Sequence, residues 1–284
     1  SATVRFNILD NLRLRFSYGQ TLRRPNFDQL NPYITYNQDV TDIGYGTASG
    51  GNPYLDPVTS KNYDLSLEWY FAPASAFYVT AFRREIDGLV VDFVRQIQYD
   101  HPDWGPGTYI LSQPNNAVNG ILDGYEFGLI WFPEDLPDLL DGFGVQASYT
   151  ILNSTQDIPV FDSVGNITSY KTTPFFGVSD SSYSVVLAYE KPRFSVRVSY
   201  VWRDDFLNNN EARLFANPLG VYRTKQESLD LQVTFRVTDN FVLTLDATNL
   251  TDEVYHSYYE KAATNNFGSW VIGRTVALGA RYSF

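Results

Sequence analysis

The chain has 284 residues, enough for one large β-domain or two ordinary ones, and no cysteine, which excludes a disulfide scaffold and a thiolate metal site. Its net charge of −11 argues against a nucleic-acid surface, where phosphate contacts require Lys and Arg. Aromatics reach 16 %, yet mean hydropathy is −0.25 and no apolar run approaches the ~18 residues of a membrane helix; lipid-facing strands, in which polar residues dilute apolar ones one in two, combine these properties.

Residues 2–8 read as a short strand, followed by a turn at Leu9-Asp10-Asn11. In Leu12 to Tyr18, Leu12, Leu14, Phe16 and Tyr18 share one face and Arg13, Arg15 and Ser17 the other. A one-residue slip would put both arginines into hydrocarbon at ~2–4 kcal/mol each near the midplane, so the orientation is well determined. Residues 19–60, rich in Asn, Pro, Gly, Asp and Tyr, read as one long irregular loop. Asn62 to Phe71 alternates again, Ala72 to Ser75 turns, and 76–98 runs back beyond a bilayer's thickness. A loop at 100–118 precedes a strand at 121–132, a turn at 133–142 and a strand at 143–153. A loop over 156–179 follows, then strands 181–190 and 193–205 around Lys191-Pro192. Residues 206–222 loop out, strands 224–236 and 240–250 follow, and a loop to 269 leads to the closing strand 273–284.

Short turns thus alternate with long loops, as in barrels with short periplasmic turns and long outer loops, and the strands number about eleven. In the closing strand, Val276, Leu278, Ala280, Tyr282 and Phe284 lie on one face, and the chain stops on the aromatic. Single-chain bacterial barrels have even strand numbers. With no Met and no signal peptide, an odd count reads as the expectation that 1–284 is the C-terminal portion of a larger barrel.

Ser17-Tyr-Gly-Gln-Thr-Leu-Arg-Arg-Pro-Asn-Phe27, Gly51-Asn-Pro-Tyr-Leu-Asp-Pro57 and Asn62-Tyr-Asp-Leu-Ser-Leu-Glu-Trp69 resemble the barrel region of TonB-dependent outer-membrane receptors. So do Asp123-Gly-Tyr-Glu-Phe-Gly128, Asp246-Ala-Thr-Asn-Leu-Thr-Asp252 and the Arg281-Tyr-Ser-Phe284 end. Phe132-Pro-Glu-Asp-Leu-Pro137 before a Gly-Phe-Gly strand start is similar to a proteobacterial branch with carbohydrate transporters in it. The resemblance implies an all-β, transmembrane, antiparallel up-and-down β-barrel of 22 strands, of which this chain is the C-terminal half. It also implies an N-terminal plug and a TonB-binding segment (the TonB box), neither found in this chain. The implied activity is TonB-dependent uptake of a scarce solute across a Gram-negative outer membrane, with no cofactor and no catalysis. The leading cargo is a carbohydrate, the alternative a ferric siderophore, and the reading of another class a passive porin or structural barrel. Implied partners are outer-membrane lipid, TonB with its inner-membrane energising complex, a small-molecule ligand, and the barrel-assembly machinery, which would read Tyr282 and Phe284.

The polar row Arg13, Arg15, Asp64, Glu68, Glu126, Arg197, Arg203, Asp230, Arg236, Asp246 and Arg281 is expected to face the lumen. It would line a ligand path or simply hydrogen-bond across the wall and hold the plug. Ligand candidates combine flat rings with amide, carboxylate and guanidinium groups in outer loops and strand tops. They are Arg23, Arg24, Tyr33, Tyr36, Tyr45, Trp104, Tyr109, Asn115, Asn116, Trp202, Asp204, Asp205, Arg213 and Trp270. Such sets suit sugar rings, with their apolar faces and fixed hydroxyls, although Tyr and Trp at strand ends are also the default girdle of a barrel. The two histidines, His101 and His256, have no metal-ligand spacing, and no nucleophile elbow is present. Asp204 and Asp205 are adjacent, so on a strand they would point apart and could not act as a glycosidase pair.

Overall fold

The computed structural model describes residues 1–39, 44–162, 167–211, 219–262 and 264–284, and every regular element among them is a strand. β1 (Ala2–Leu9) and β2 (Leu12–Arg23) form the first hairpin; β3 (Ile34–Asn37) and β4 (Gly46–Gly50) lie in the connection to β5 (Val58–Ala72). β6 (Ser75–Asp87), β7 (Leu89–His101) and β8 (Gly105–Trp131) follow, then β9 (Phe143–Phe161), β10 (Ile167–Thr173), β11 (Ser181–Lys191) and β12 (Phe194–Arg203). The last third holds β13 (Phe206–Glu211), β14 (Leu219–Arg223), β15 (Gln226–Thr238), β16 (Phe241–Thr248), β17 (Val254–Tyr259), β18 (Asn266–Val271) and β19 (Thr275–Tyr282).

Eleven of these strands pair in the order β1-β2-β5-β6-β8-β9-β11-β12-β15-β16-β19, each antiparallel to the next. This is the up-and-down barrel wall that the alternation predicts. Tight turns such as Asp10-Asn11, Pro73-Ala74, Pro192-Arg193 and Asp239-Asn240 lie at one rim together with the longer connection 132–142, and the other long connections lie at the opposite rim.

Directly opposed residues share a face, so the register carries one row around the wall. Arg13 faces Glu68, Glu68 faces Tyr78, Tyr78 faces Gly128, Gly128 faces Ser148, and Ser148 faces Ser184. Ser184 then faces Val201 and Val201 faces Ser228. The opposite row runs Leu14, Leu67, Val79, Phe127, Tyr149, Tyr183, Trp202. This second face is left uncovered: Phe6 is 64 % and Leu278 84 % exposed. So continuous an apolar surface suits lipid and not water.

The expected loops are largely strands. The segment 100–118 is no loop; β8 is a single strand of 27 residues, and β7 pairs with it from Leu89–Ala117 to His101–Gly105. A tilted strand needs ~9–11 residues to cross a bilayer, so this hairpin rises far above the wall. Gly88 (φ 73°) and Asn119 (φ 54°) take left-handed backbone where the wall gives way to the hairpin. Pro114, Asn115 and Asn116 mimic a turn locally, but thirteen cross-strand pairs with β7 override that signal. The connections 19–60 and 156–179 likewise contain the hairpins β3–β4 and β9–β10. Those at 206–222 and up to 269 hold β13, β14, β17 and β18, which form a separate four-stranded sheet.

Candidate functional site

Above the wall, β3, β4, β8 and β7 form one sheet, in which β4 runs parallel to β8 and pairs Gly46–Tyr109 through Ser49–Ser112. The period of two sorts its residues. Ala48, Tyr109 and Leu111 are buried on one face with Ile34, Tyr36 and Ile97 packed against them. The other face carries Asn37, Thr47, Ser49, Ile110, Ser112, Val94 and Asp92.

That second face supplies much of the described lining of a pocket of about 720 Å³, to which Leu89, Val91 and Phe176 add from the side packed around Phe93, and Asn208 and Asn209 add from β13. Its described lining offers amides and hydroxyls over apolar patches (Val94, Ile110, Phe176), with Asp92 as its one ionisable group and no Lys or Arg. Asp92 has no hydrogen-bond or ion-pair partner among the described residues. Such a lining can accept and donate hydrogen bonds to a hydroxyl-rich solute and stack on its apolar faces.

None of the ligand candidates that fall among the described residues lines this pocket. Two of them, Tyr36 and Tyr109, sit in the packed face behind it, and the exposed Trp104 is at the hairpin tip. The Tyr36 ring stacks on Tyr99 at 4.3 Å and meets Tyr109 edge-on at 5.1 Å, while Trp104 stacks on His101 at 3.9 Å. Burial, followed by the neighbouring Tyr99 and Tyr109 phenols, pushes the Tyr36 hydroxyl above its ordinary range. The His101 Nδ1 accepts the Asp103 backbone N–H at 3.3 Å, so His101 shapes the hairpin tip. Asn116 is a brace: its Oδ1 accepts Asp56 N–H at 2.9 Å, and its Nδ2 donates to Gly88 O at 2.6 Å and Asp56 O at 3.1 Å. Asn115 accepts the Asn116 N–H at 2.9 Å. Tyr45 is half-buried before β4, and Tyr33 is exposed. Arg23 and Arg24 are exposed at the top of β2, without a side-chain partner among the described residues.

Trp202 lies on the apolar face of the wall, stacked on Tyr183 at 5.2 Å. Asp204 accepts the Asp205 N–H at 2.9 Å. Asp205 ties two segments together, accepting Lys225 N–H at 2.7 Å and the Tyr258 hydroxyl at 2.9 Å. Burial first, then Asp205, holds the Tyr258 phenol well above its ordinary range. In the same sheet Tyr222 stacks on Tyr258 at 5.5 Å and the Arg223 guanidinium lies 5.2 Å from the Trp270 ring. Arg213 lies outside the described residues.

The register puts the whole charged row, from Arg13 and Arg15 to Asp246 and Arg281, on one face. Arg5 joins it directly opposite Arg15. Arg15 pairs with Glu68 at 3.0 Å, which also accepts the Tyr70 hydroxyl at 2.9 Å, and Arg13 lies 4.8 Å from the Tyr70 ring. At the chain end Tyr282 packs edge-on against Phe284 at 5.2 Å.

Sequence alone does not single out the pocket residues, because alternation in Val90 to Val94 predicts only a rising strand and the composition of 100–118 predicts a loop. No local pattern joins 47–49 to 110–112.

A family profile described as TonB dependent receptor-like, beta-barrel, matches residues 1–250. No curated protein matches in sequence. Among solved structures, the chain is similar to the ferric enterobactin receptor PfeA of Pseudomonas aeruginosa, with 17 % identity and TM-score 0.66, covering 99 % of this chain and 39 % of that one. The siderophore receptor PirA of Acinetobacter baumannii gives 16 % identity and TM-score 0.63, with 99 % and 40 % covered. PiuA of the same organism gives 17 % and 0.55, with 99 % and 35 % covered. The chain spans roughly two fifths of these proteins, and at such identities the likeness is one of fold.

Proposed function

The chain belongs to the TonB-dependent receptor β-barrel family, and on that premise we propose that it is part of the wall and outer rim of an active transporter in a bacterial outer membrane. The proposed activity is uptake of a scarce solute, with no bond made or broken. The solute is captured at the outer rim, and TonB, energised from the inner membrane, drives its passage through a plug held by the charged face. The apolar face would sit in lipid. Tyr282 and Phe284 would present the terminal strand to the assembly machinery.

For the cargo we favour a carbohydrate. The observation carrying this choice is the pocket of about 720 Å³, whose described lining has amides, hydroxyls and one carboxylate but no cation. Ferric siderophores are commonly anionic and would gain from Lys or Arg there. The second reading, a ferric siderophore, draws on the ligands named for PfeA, PirA and PiuA and on the exposed Arg23 and Arg24, which have no side-chain partner among the described residues. Equilibrium binding with the full-length receptor separates them. Oligosaccharide binding that weakens when Ser112 or Asn37 is replaced by Ala supports the first. Micromolar or tighter affinity for an iron chelate with no sugar binding overturns it.

A further inference from the structure

The described lining of the pocket contains one charge, and its placement is specific. Asp92 lies between Val90 and Val94 on the face that bears Ser112, Ser49 and Thr47, while Phe93 beside it is 6 % exposed and packs with Ala117 and Ile158 on the other side. The register therefore fixes the direction of the carboxylate: a slip by one would bury Asp92 and expose Phe93. Across the ladder its partner is Pro114, which cannot donate a hydrogen bond from its nitrogen. Among the described residues no Lys, Arg or His approaches it, and no hydroxyl or amide caps it. The nearby amides and hydroxyls already suffice for a neutral polyol, and Asn37 and Asn208 are engaged with Thr47 (3.4 Å) and Asn209 (2.9 Å). A lone carboxylate adds something different. It repels anions and attracts a cationic donor, and ionised hydrogen bonds are roughly twice as strong as neutral ones.

We propose that Asp92 selects solutes carrying a protonated amine, so that the pocket takes amine-bearing, hydroxyl-rich compounds of the amino-sugar class in preference to neutral sugars. The inference rests on the reading of this pocket as a carbohydrate site and specifies its charge. The ammonium group donates to the Asp92 carboxylate, the ring hydroxyls meet Thr47, Ser49 and Ser112, and the apolar ring face lies on Val94.

The test uses the full-length receptor in detergent, titrated calorimetrically below neutral pH with glucosamine oligomers and with N-acetylglucosamine oligomers of equal length. Wild type is expected to prefer the amine form by about tenfold or more at low salt, with the preference shrinking as salt is added. Asp92→Asn is expected to erase the preference, lowering affinity for the amine form about tenfold relative to the acetylated one. Equal affinities on wild type, or a preference that survives Asp92→Asn, overturns the role of Asp92 while the carbohydrate reading stands. If neither oligomer binds wild type, the carbohydrate reading itself fails and takes this inference with it.

Discussion

Tyr78 and Gly128 face each other across β6 and β8, and the Tyr78 ring occupies the space that a β-carbon on Gly128 would need. Both lie on the charged face of the wall, where the ring lies flat across the neighbouring strand. Adding a methyl there is an overpacking change, costing about 1–3 kcal/mol. Gly128→Ala is expected to lower the unfolding free energy of the detergent-solubilised receptor by that amount, read as a lower urea midpoint at unchanged slope. In a Tyr78→Ala background the same substitution should cost little, and additive costs in the double-mutant cycle would show that the two residues act independently.

Leu65 and Ser66 are neighbours on β5 with opposite environments. Leu65 opposes Phe16 and Ala81 on the apolar face, and Ser66 receives the Thr80 hydroxyl at 3.0 Å on the other. Leu65→Lys is expected to cost ~2–4 kcal/mol if the residue sits near the membrane midplane, and Ser66→Lys much less. Folding into lipid vesicles measures the difference; equal costs would contradict the assignment of faces.

The Tyr258 hydroxyl gives the outer four-stranded sheet a sensitivity to alkali. Its phenol is raised above the ordinary 10.0, by burial first and then by Asp205. The folded protein therefore keeps the proton to higher pH than the unfolded chain does. The stability this contributes is complete below 10.0 and falls as pH climbs toward the folded value. Limited proteolysis of 204–225 should accelerate above that pH in wild type. In Tyr258→Phe the acceleration should be weaker, with a higher baseline at neutral pH because Asp205 loses one of its two donors and keeps the Lys225 N–H. Identical alkaline profiles would refute the coupling.

Asn116 separates bracing from binding. Its amide joins the loop before β5 to the kink at Gly88 through three hydrogen bonds. Asn116→Ala leaves part of that backbone unsatisfied, at about 1–3 kcal/mol of local stability. Hydrogen exchange at Asp56 is expected to rise, while the wall's unfolding midpoint changes little. A loss of solute affinity with unchanged exchange would instead make Asn116 a ligand contact.

The Asn116 case shows where sequence reading stops. Asn, Trp and Tyr in outer segments have the right chemistry for a ligand, but Tyr109 at 4 % exposure and the stacked Tyr36–Tyr99 pair spend that chemistry on holding two hairpins together. Whether a polar or aromatic group is free depends on its neighbours, and composition does not list them.

By itself the sequence determined the wall. From Leu12 to Tyr18, and again in each later wall strand, side chains point alternately to opposite faces, so a local pattern of two is sufficient to separate the apolar face from the row containing Arg13, Arg15 and Asp246. The number of wall strands and the rim with tight turns follow from the same local signal. The tertiary structure alone decided the outer half. The pocket exists because 47–49 pairs with 110–112 and because β13 comes to rest over them. The pairing joins segments about sixty residues apart, and β13 lies further along the chain still, where alternation tells which residues share a face but not which strands share a sheet. Asp92 could be seen to alternate with Phe93. That it faces a pocket with no cation in its described lining could be known only once the strands had been assembled.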